Sequence, residues 1–242
     1  FPVELVEEYL RAMDAVSVDV VELGFRSLEH EGFRGGCAYT TDGFVRNLAV
    51  PAGLTLGVMV NTGELVRHDD GVAAAVDALF APADDSPVTL VRLASHFVEV
   101  EAALVACSRL HELGYLVGVN LMQIADRTDA EIEEVARRAA AEPPDVLYFA
   151  DSLGSMDAVQ TSRIIGVLRR EWNGPLGIHT HDNMGRALVN SLQAMEDGVS
   201  WVDATVTGMG RGPGNAKTEH LAIEVAERRH TRLDIAPLLS LV

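Results

Sequence analysis

The sequence predicts an α/β barrel of parallel strands, the (β/α)8 TIM type with its first strand missing from the chain, on three observations. Short β-rich runs alternate with segments of three- and four-residue apolar spacing along the 242 residues. Several runs are apolar almost throughout, as strands covered on both faces are. Polar residues collect at the C-terminal ends of the runs, where a closed barrel builds its site; a doubly wound sheet would confine function to one switch point.

The chain opens on "FPVELVEEYLRAMDAV", an amphipathic helix begun by Pro2, without the basic start or cleavage site of a secretory signal. Strand runs follow at 18–25 (VDVVELGF), 54–61 (LTLGVMVN), 88–95 (VTLVRLAS), 116–123 (LVGVNLMQ), 145–152 (DVLYFADS), 176–181 (LGIHTH) and 201–208 (WVDATVTG). Helical spacing between them is clearest in "FVEVEAALVACSRLHELG" and "DAEIEEVARRAAAE". Seven strands are one too few for an eight-stranded barrel. Because the chain starts on a helix, the absent strand is expected to be the first. "LDIAPLLSLV" stops in an apolar run, so a further C-terminal segment is also expected. No linker, repeat or low-complexity tract interrupts residues 1–242, which read as one catalytic barrel domain.

Composition narrows the function. A hydrophobic fraction of 48% is enough to fill a large core, yet no run approaches the ~18 continuous apolar residues of a membrane span, so no membrane partner is expected. A net charge of −17 argues against nucleic acid, whose phosphates need clustered Lys and Arg. The basic residues are eighteen Arg and a single Lys, Lys217. Cys37 and Cys107 are too far apart in sequence to form a ligand pair, and Cys107 reads as a buried helical thiol; a reducing, cytoplasmic setting follows as an expectation.

The strand ends carry Glu22 and Arg26, Asn61, Ser95 and His96, Asn120 and Gln123, Asp151 and Ser152, then His179 and His181. Alternate strand residues share a face, so His179 and His181 point together into the barrel mouth while Ile178 and Thr180 point away. Two imidazoles so placed can hold one divalent ion. They could equally hydrogen-bond neighbouring loops, and the residues alone leave both readings open. The second motif is "TGMGRGPGNAKTEHLAIEV" at 207–225, a glycine-rich loop after a strand and before a helix. Such a loop can bring the backbone at Gly212 and Gly214 close to an anion, or it can simply reverse the chain. It has no GK[ST] and is not a nucleotide-hydrolysing loop. Asn215 would lie near the histidines if the last two strands are neighbours.

"IHTHDNMG" followed some thirty residues later by "GMGRGPGNAKTE" resembles the paired motifs of the DRE-TIM metallolyase superfamily, which contains 4-hydroxy-2-oxovalerate aldolases, 3-hydroxy-3-methylglutaryl-CoA lyase, and the isopropylmalate and homocitrate synthases. "VELGF", "RLASH" and "ADSLG" match in order, so the resemblance spans essentially the whole chain. It implies a divalent ion, Mn²⁺ or Mg²⁺ rather than Zn²⁺, on His179 and His181; in the lyase and synthase branches the loop asparagine, here Asn215, also approaches the metal. The first-strand motif that gives the superfamily its name, with a metal-binding Asp and an enolate-stabilising Arg, has no counterpart in this chain. The lyase's loop cysteine is also absent from "GRGPGN". The cysteine-free loop, Ser95-His96, and "FRGGCAYTTDGF" after the 18–25 run are closer to the aldolase branch.

The expected chemistry is carbon–carbon cleavage beside a 2-oxo acid, releasing pyruvate and an aldehyde. That reaction needs either a Schiff-base lysine or a metal-stabilised enolate. Lys217 falls past the glycine loop rather than on a strand end, which disfavours the imine. Arg26, Gly212 and Gly214 are then candidates for the substrate carboxylate; Glu22, Asn120, Asp151 and Ser152 for the lining of the mouth; and His96 for acid/base work. Asp151 could instead be a structural acceptor, and Arg26 one half of an ion pair. The alternatives are a Claisen-type synthase using acyl-CoA, and a non-catalytic barrel serving as a binding or scaffold subunit. A homodimer and a partner dehydrogenase that takes the aldehyde are further expectations from the resemblance.

Overall fold

The computed structural model describes residues 1–29, 32 and 34–242, so of the segment 33–44 only Phe33 lies outside the described residues. Among the described residues seven strands, β1 (Val20–Phe25), β2 (Thr55–Asn61), β3 (Leu90–Ser95), β4 (Leu116–Leu121), β5 (Val146–Asp151), β6 (Leu176–Thr180) and β7 (Trp201–Val202), form one sheet. Every neighbouring pair is parallel and the spatial order is the chain order. Helices cross between them, as parallel connections require.

The sheet is curled. Laid flat, β1 and β7 would stand six strand spacings apart, about 29 Å. Instead Arg92 on β3 is ion-paired both to Glu22 on β1 and to Asp203 just past β7. One guanidinium can touch both only if the sheet wraps around it. The architecture is therefore TIM-barrel-like, with β1 and β7 as its two edges.

The helices cover the outer face. Val100–Glu112 buries Val100, Ala103, Leu104, Ala106, Cys107 and Leu110, the three- and four-residue spacing read from the sequence. Asp129–Ala141 begins in a reciprocal cap: Thr128 accepts from the Glu131 amide, and Glu131 accepts from the Thr128 amide. Ala158–Leu168 starts the same way on Asp157 and Gln160. The main core lies between these helices and the odd-numbered residues of β3, β4 and β5, including Leu93, Val119, Leu147 and Phe149. A smaller core joins the two ends of the chain: Leu10 and Met13 of the first helix (Val3–Ala15) pack with Leu238, Val21 and Val206.

One element departs from the expectation. The run 201–208 forms only two residues of strand, Trp201–Val202. Beyond it Thr205 makes a single parallel bridge to Lys217, and Val206–Gly208 closes as a 3-10 turn with Thr207 at φ 58°. The returning glycine loop takes over the pairing that a longer strand would have made.

Candidate active site

The inner face of the sheet is built from alternate residues. On β6 the inward set is Gly177 and His179, continued by His181; Ile178 and Thr180 face outward and are buried, with Thr180 Oγ1 3.1 Å from Ser191 Oγ on the covering helix. The two imidazoles stand 5.1 Å apart between ring centroids, at 77° to one another. Beneath them His179 Nδ1 lies 2.9 Å from Asp203 Oδ2. The same oxygen is ion-paired to Arg92, whose Nε and Nη2 donate to the two oxygens of Glu22 at 2.7 and 3.0 Å. The Arg92 guanidinium lies 4.8 Å from the centre of the Tyr148 ring. Room for that ring comes from Gly177, where a Cβ would sit 2.3 Å from Tyr148 Cδ1; a Cβ at Gly118 would be in ordinary contact, 3.4 Å from its Cε2.

This environment sets the charges. Burial alone would push the Asp203 carboxyl up, but the Arg92 guanidinium and the His179 contact outweigh it and bring the pKa down to about 2. Burial, the neighbouring His179 and the nearby Arg211 together bring His181 down to about 4, so its imidazole is neutral near pH 7. Neutral imidazole is the form that binds metals. The Tyr148 phenol is raised far above its ordinary value by burial and by Asp203, and stays protonated.

The glycine loop seats Asn215 beside the histidines. An antiparallel bridge joins His181 to Asn215, the Asp182 amide donates to the Gly214 carbonyl at 2.8 Å, and the Asn215 amide donates to Gly208 at 2.9 Å. Gly214 has φ 93°, and a Cβ there would lie 1.8 Å from the Gly208 carbonyl oxygen. The loop is glycine-rich because its two arms touch backbone to backbone. Asn215 Nδ2 donates to Met209 O at 3.2 Å; Oδ1 is buried and has no hydrogen-bond partner among the described residues. Asn120 Oδ1, facing inward on β4, is buried and unpartnered in the same way. Such orphaned acceptors are costly unless a ligand or water serves them.

Other expected site residues have different partners. Asp151 is buried with both carboxylate oxygens accepting loop amides, from Ser155 and Met156 at 3.0 Å each, so it is the structural acceptor rather than a free mouth-lining group. Burial is also the main reason its pKa is raised. Arg26 corrects the carboxylate-binding expectation more firmly. It donates to Thr40 O and Leu79 O, pairs with Asp42 and lies against Phe80, because it leaves β1 on the outer side of the sheet. Glu22 is on the inner face, but Arg92 occupies both its oxygens. The Gly214 amide is used inside the loop, donating to Arg211 O at 3.2 Å, and so is not an anion donor. Gly212, at φ 62°, sits on the exposed tip. Ser152 Oγ accepts from the Gln123 amide at 2.9 Å, tying the loops after β4 and β5. His96 follows β3 at the same end, with its amide donating to Glu99; among the described residues no contact joins its ring to the histidine pair.

Three residues at the centre of the network, Arg92, Tyr148 and Asp203, escaped the sequence reading. Their signal was present: a charge or a phenol at an inward position of an otherwise apolar strand, in "VTLVRLAS", "DVLYFADS" and "WVDATV". Among the described residues no three of His, Cys, Asp or Glu group to hold an ion by themselves.

A family model described as HMGL-like matches residues 83–241. The chain belongs to the HMGL-like family. It is 27% identical over 246 aligned positions to a 4-hydroxy-2-oxovalerate aldolase of Brevibacillus brevis, covering all of this chain and 69% of that protein. Among the first of its curated relatives the chain spans 62 to 69% of their length, with two of the three below two thirds. In three dimensions it resembles the N-terminal domain of a Bacteroides vulgatus protein, with TM-score 0.84 and 24% identity over the whole chain and 78% of that one. It also resembles the HMG-CoA lyase of Bacillus subtilis, with TM-score 0.76 and 14% identity over the whole chain and 85% of that one. These structural likenesses carry the fold. The curated relatives it matches are named as 4-hydroxy-2-oxovalerate aldolases. None of the described helices is long and apolar enough to cross a membrane.

Proposed function

We propose that this HMGL-like chain supplies most of a divalent-metal aldolase site that cleaves a 4-hydroxy-2-oxo acid to pyruvate and an aldehyde. The observation that carries the reading is the orphaned Asn215 Oδ1, buried in the residue bridged to the neutral His181, two residues beyond His179. Two imidazoles and an amide oxygen, completed by carboxylate, water or substrate oxygens, would suit Mn²⁺ or Mg²⁺ better than the closed thiolate and imidazole shell of a structural Zn²⁺. The resemblance adds a carboxylate ligand, which an eighth strand between β7 and β1 would carry. When bound, the ion would polarise the 2-oxo group and take up the charge that develops as the bond breaks.

The protein's own groups do the rest. His179 and His181 would hold such an ion from the end of β6. The orphaned Asn120 Oδ1 can accept from a substrate hydroxyl. His96, at the mouth end of β3, is the candidate to move the hydroxyl proton. Gly212 and Ser152 lie on loops that would border the substrate. Lys217 is exposed at the cap of the helix Thr218–Arg229, a poor place for a desolvated imine-forming amine. A cytoplasmic location is supported by the two free thiols; a homodimer and a partner dehydrogenase rest on the resemblance alone.

The test is pyruvate release from 4-hydroxy-2-oxovalerate by the full-length protein with Mn²⁺, against the double variant His179→Ala, His181→Ala. The variant should lose at least about 100-fold in kcat/KM, roughly 2.7 kcal/mol of transition-state stabilisation. Equal release by both proteins, or thiol release from an acyl-CoA in place of pyruvate, would sink the assignment.

A further inference from the structure

We propose that Asp203 is a positioning residue for the histidine pair: it fixes the His179 ring with Nδ1–H toward the barrel floor and the Nε2 lone pair toward the mouth, and Arg92 with Glu22 holds Asp203 in place. The proposal rests on reading His179 and His181 as metal ligands.

A neutral imidazole carries one proton on either nitrogen, and only the bare nitrogen can bind a cation. An ionised carboxylate accepts and cannot donate. The 2.9 Å contact between His179 Nδ1 and Asp203 Oδ2 therefore puts the proton on Nδ1 and frees Nε2. Without that acceptor the ring could take either tautomer or turn over. A carboxylate behind a ligating histidine is the usual device for choosing one state.

The surroundings keep the acceptor still. Asp203 Oδ2 is also bound by Arg92 Nη1; the other side of Arg92 is held by both oxygens of Glu22, and its face lies on Tyr148. Tyr148 packs against Gly177, where a Cβ would clash with its ring. Neutralising Arg92 would not by itself require Asp203, because Glu22 already pairs with it through two hydrogen bonds. The second carboxylate exceeds what the arginine needs, and it is the one that reaches the histidine. Among the described residues no carboxylate reaches the His181 ring, so the support is specific to His179.

Two measurements on the full-length protein decide it. In the metal-free wild type, long-range proton–nitrogen NMR of labelled histidine should show His179 as the Nδ1–H tautomer; an Nε2–H tautomer overturns the proposal. Mn²⁺ titration should show Asp203→Asn binding about 10- to 100-fold more weakly than wild type. Its metal-free unfolding midpoint should fall, because the ion pair with Arg92 is lost, so the tautomer and Mn²⁺ binding are both read on the folded variant. The Asn amide can turn its NH₂ toward Nδ1, so its His179 signal should move toward Nε2–H. Mn²⁺ binding by Asp203→Asn equal to wild type overturns the proposal. If wild type binds Mn²⁺ no better than the His179→Ala, His181→Ala variant, the ligand reading fails instead, and the tautomer still tests the positioning. Should Asp203→Asn not fold, the wild-type tautomer decides alone.

Discussion

A proton on His181 is harder to accommodate in the folded chain than in water, since it would be half-buried beside another imidazole and Arg211. The folded pKa of about 4 lies below the ordinary 6.5. The unfolded chain therefore binds the proton first as pH falls. The stability tied to this neutral ring is complete above about pH 6.5 and is lost as pH drops through 4. Thermal unfolding of the metal-free protein should show a falling midpoint across that window, and His181→Gln should flatten the slope there. An unchanged slope in the variant would mean that the ring is not the titrating group.

At the scale of elements, the glycine loop matters more for where it sets Asn215 than for any ligand its amides could bind. Gly214→Ala places a Cβ 1.8 Å from a backbone oxygen at φ 93°, and no flexible side chain can give way. The loop must re-form, drawing Asn215 from His181. We expect a loss of about 1–3 kcal/mol of stability together with weaker Mn²⁺ binding, read by urea unfolding and metal titration. Gly166→Ala is the control: it lies inside the helix Ala158–Leu168 with nothing within 4 Å of its Cβ. It should be neutral or stabilising by up to about 1 kcal/mol. Equal losses in both variants would show that the effect is generic rather than a property of the loop.

At the scale of the molecule, Arg92 acts as a tie across the curled sheet. It joins β1 to the end of β7 through two carboxylates and stacks on β5. Replacing it with methionine leaves the Glu22 and Asp203 carboxylates without their shared cation. Breaking a buried ion pair from one side costs about 3–5 kcal/mol; Glu22 and Asp203 keep 24% and 20% side-chain exposure, which favours the lower end. Urea unfolding should report a loss near 3 kcal/mol for Arg92→Met. A loss below about 1 kcal/mol would mean that the network does not hold the two edges together.

By itself the sequence determined the parallel strand–helix alternation, the helical spacing of 97–114 and 129–142, and the shared face of His179 and His181. Each follows from a local period within a few residues. Asn215 was also legible, because the loop that carries it follows directly on the next strand. Tertiary structure alone decided the roles of Arg92, Asp203, Arg26 and Asp151. The Arg92–Asp203 contact spans 111 positions and exists only because the sheet curls. Whether Asp151 and Arg26 meet substrate or structure depends on which side of the sheet they leave it, and at a strand end that is set by the loop that follows. Local chemistry proposed the ligands; the curvature of the sheet chose which charged groups stand behind them.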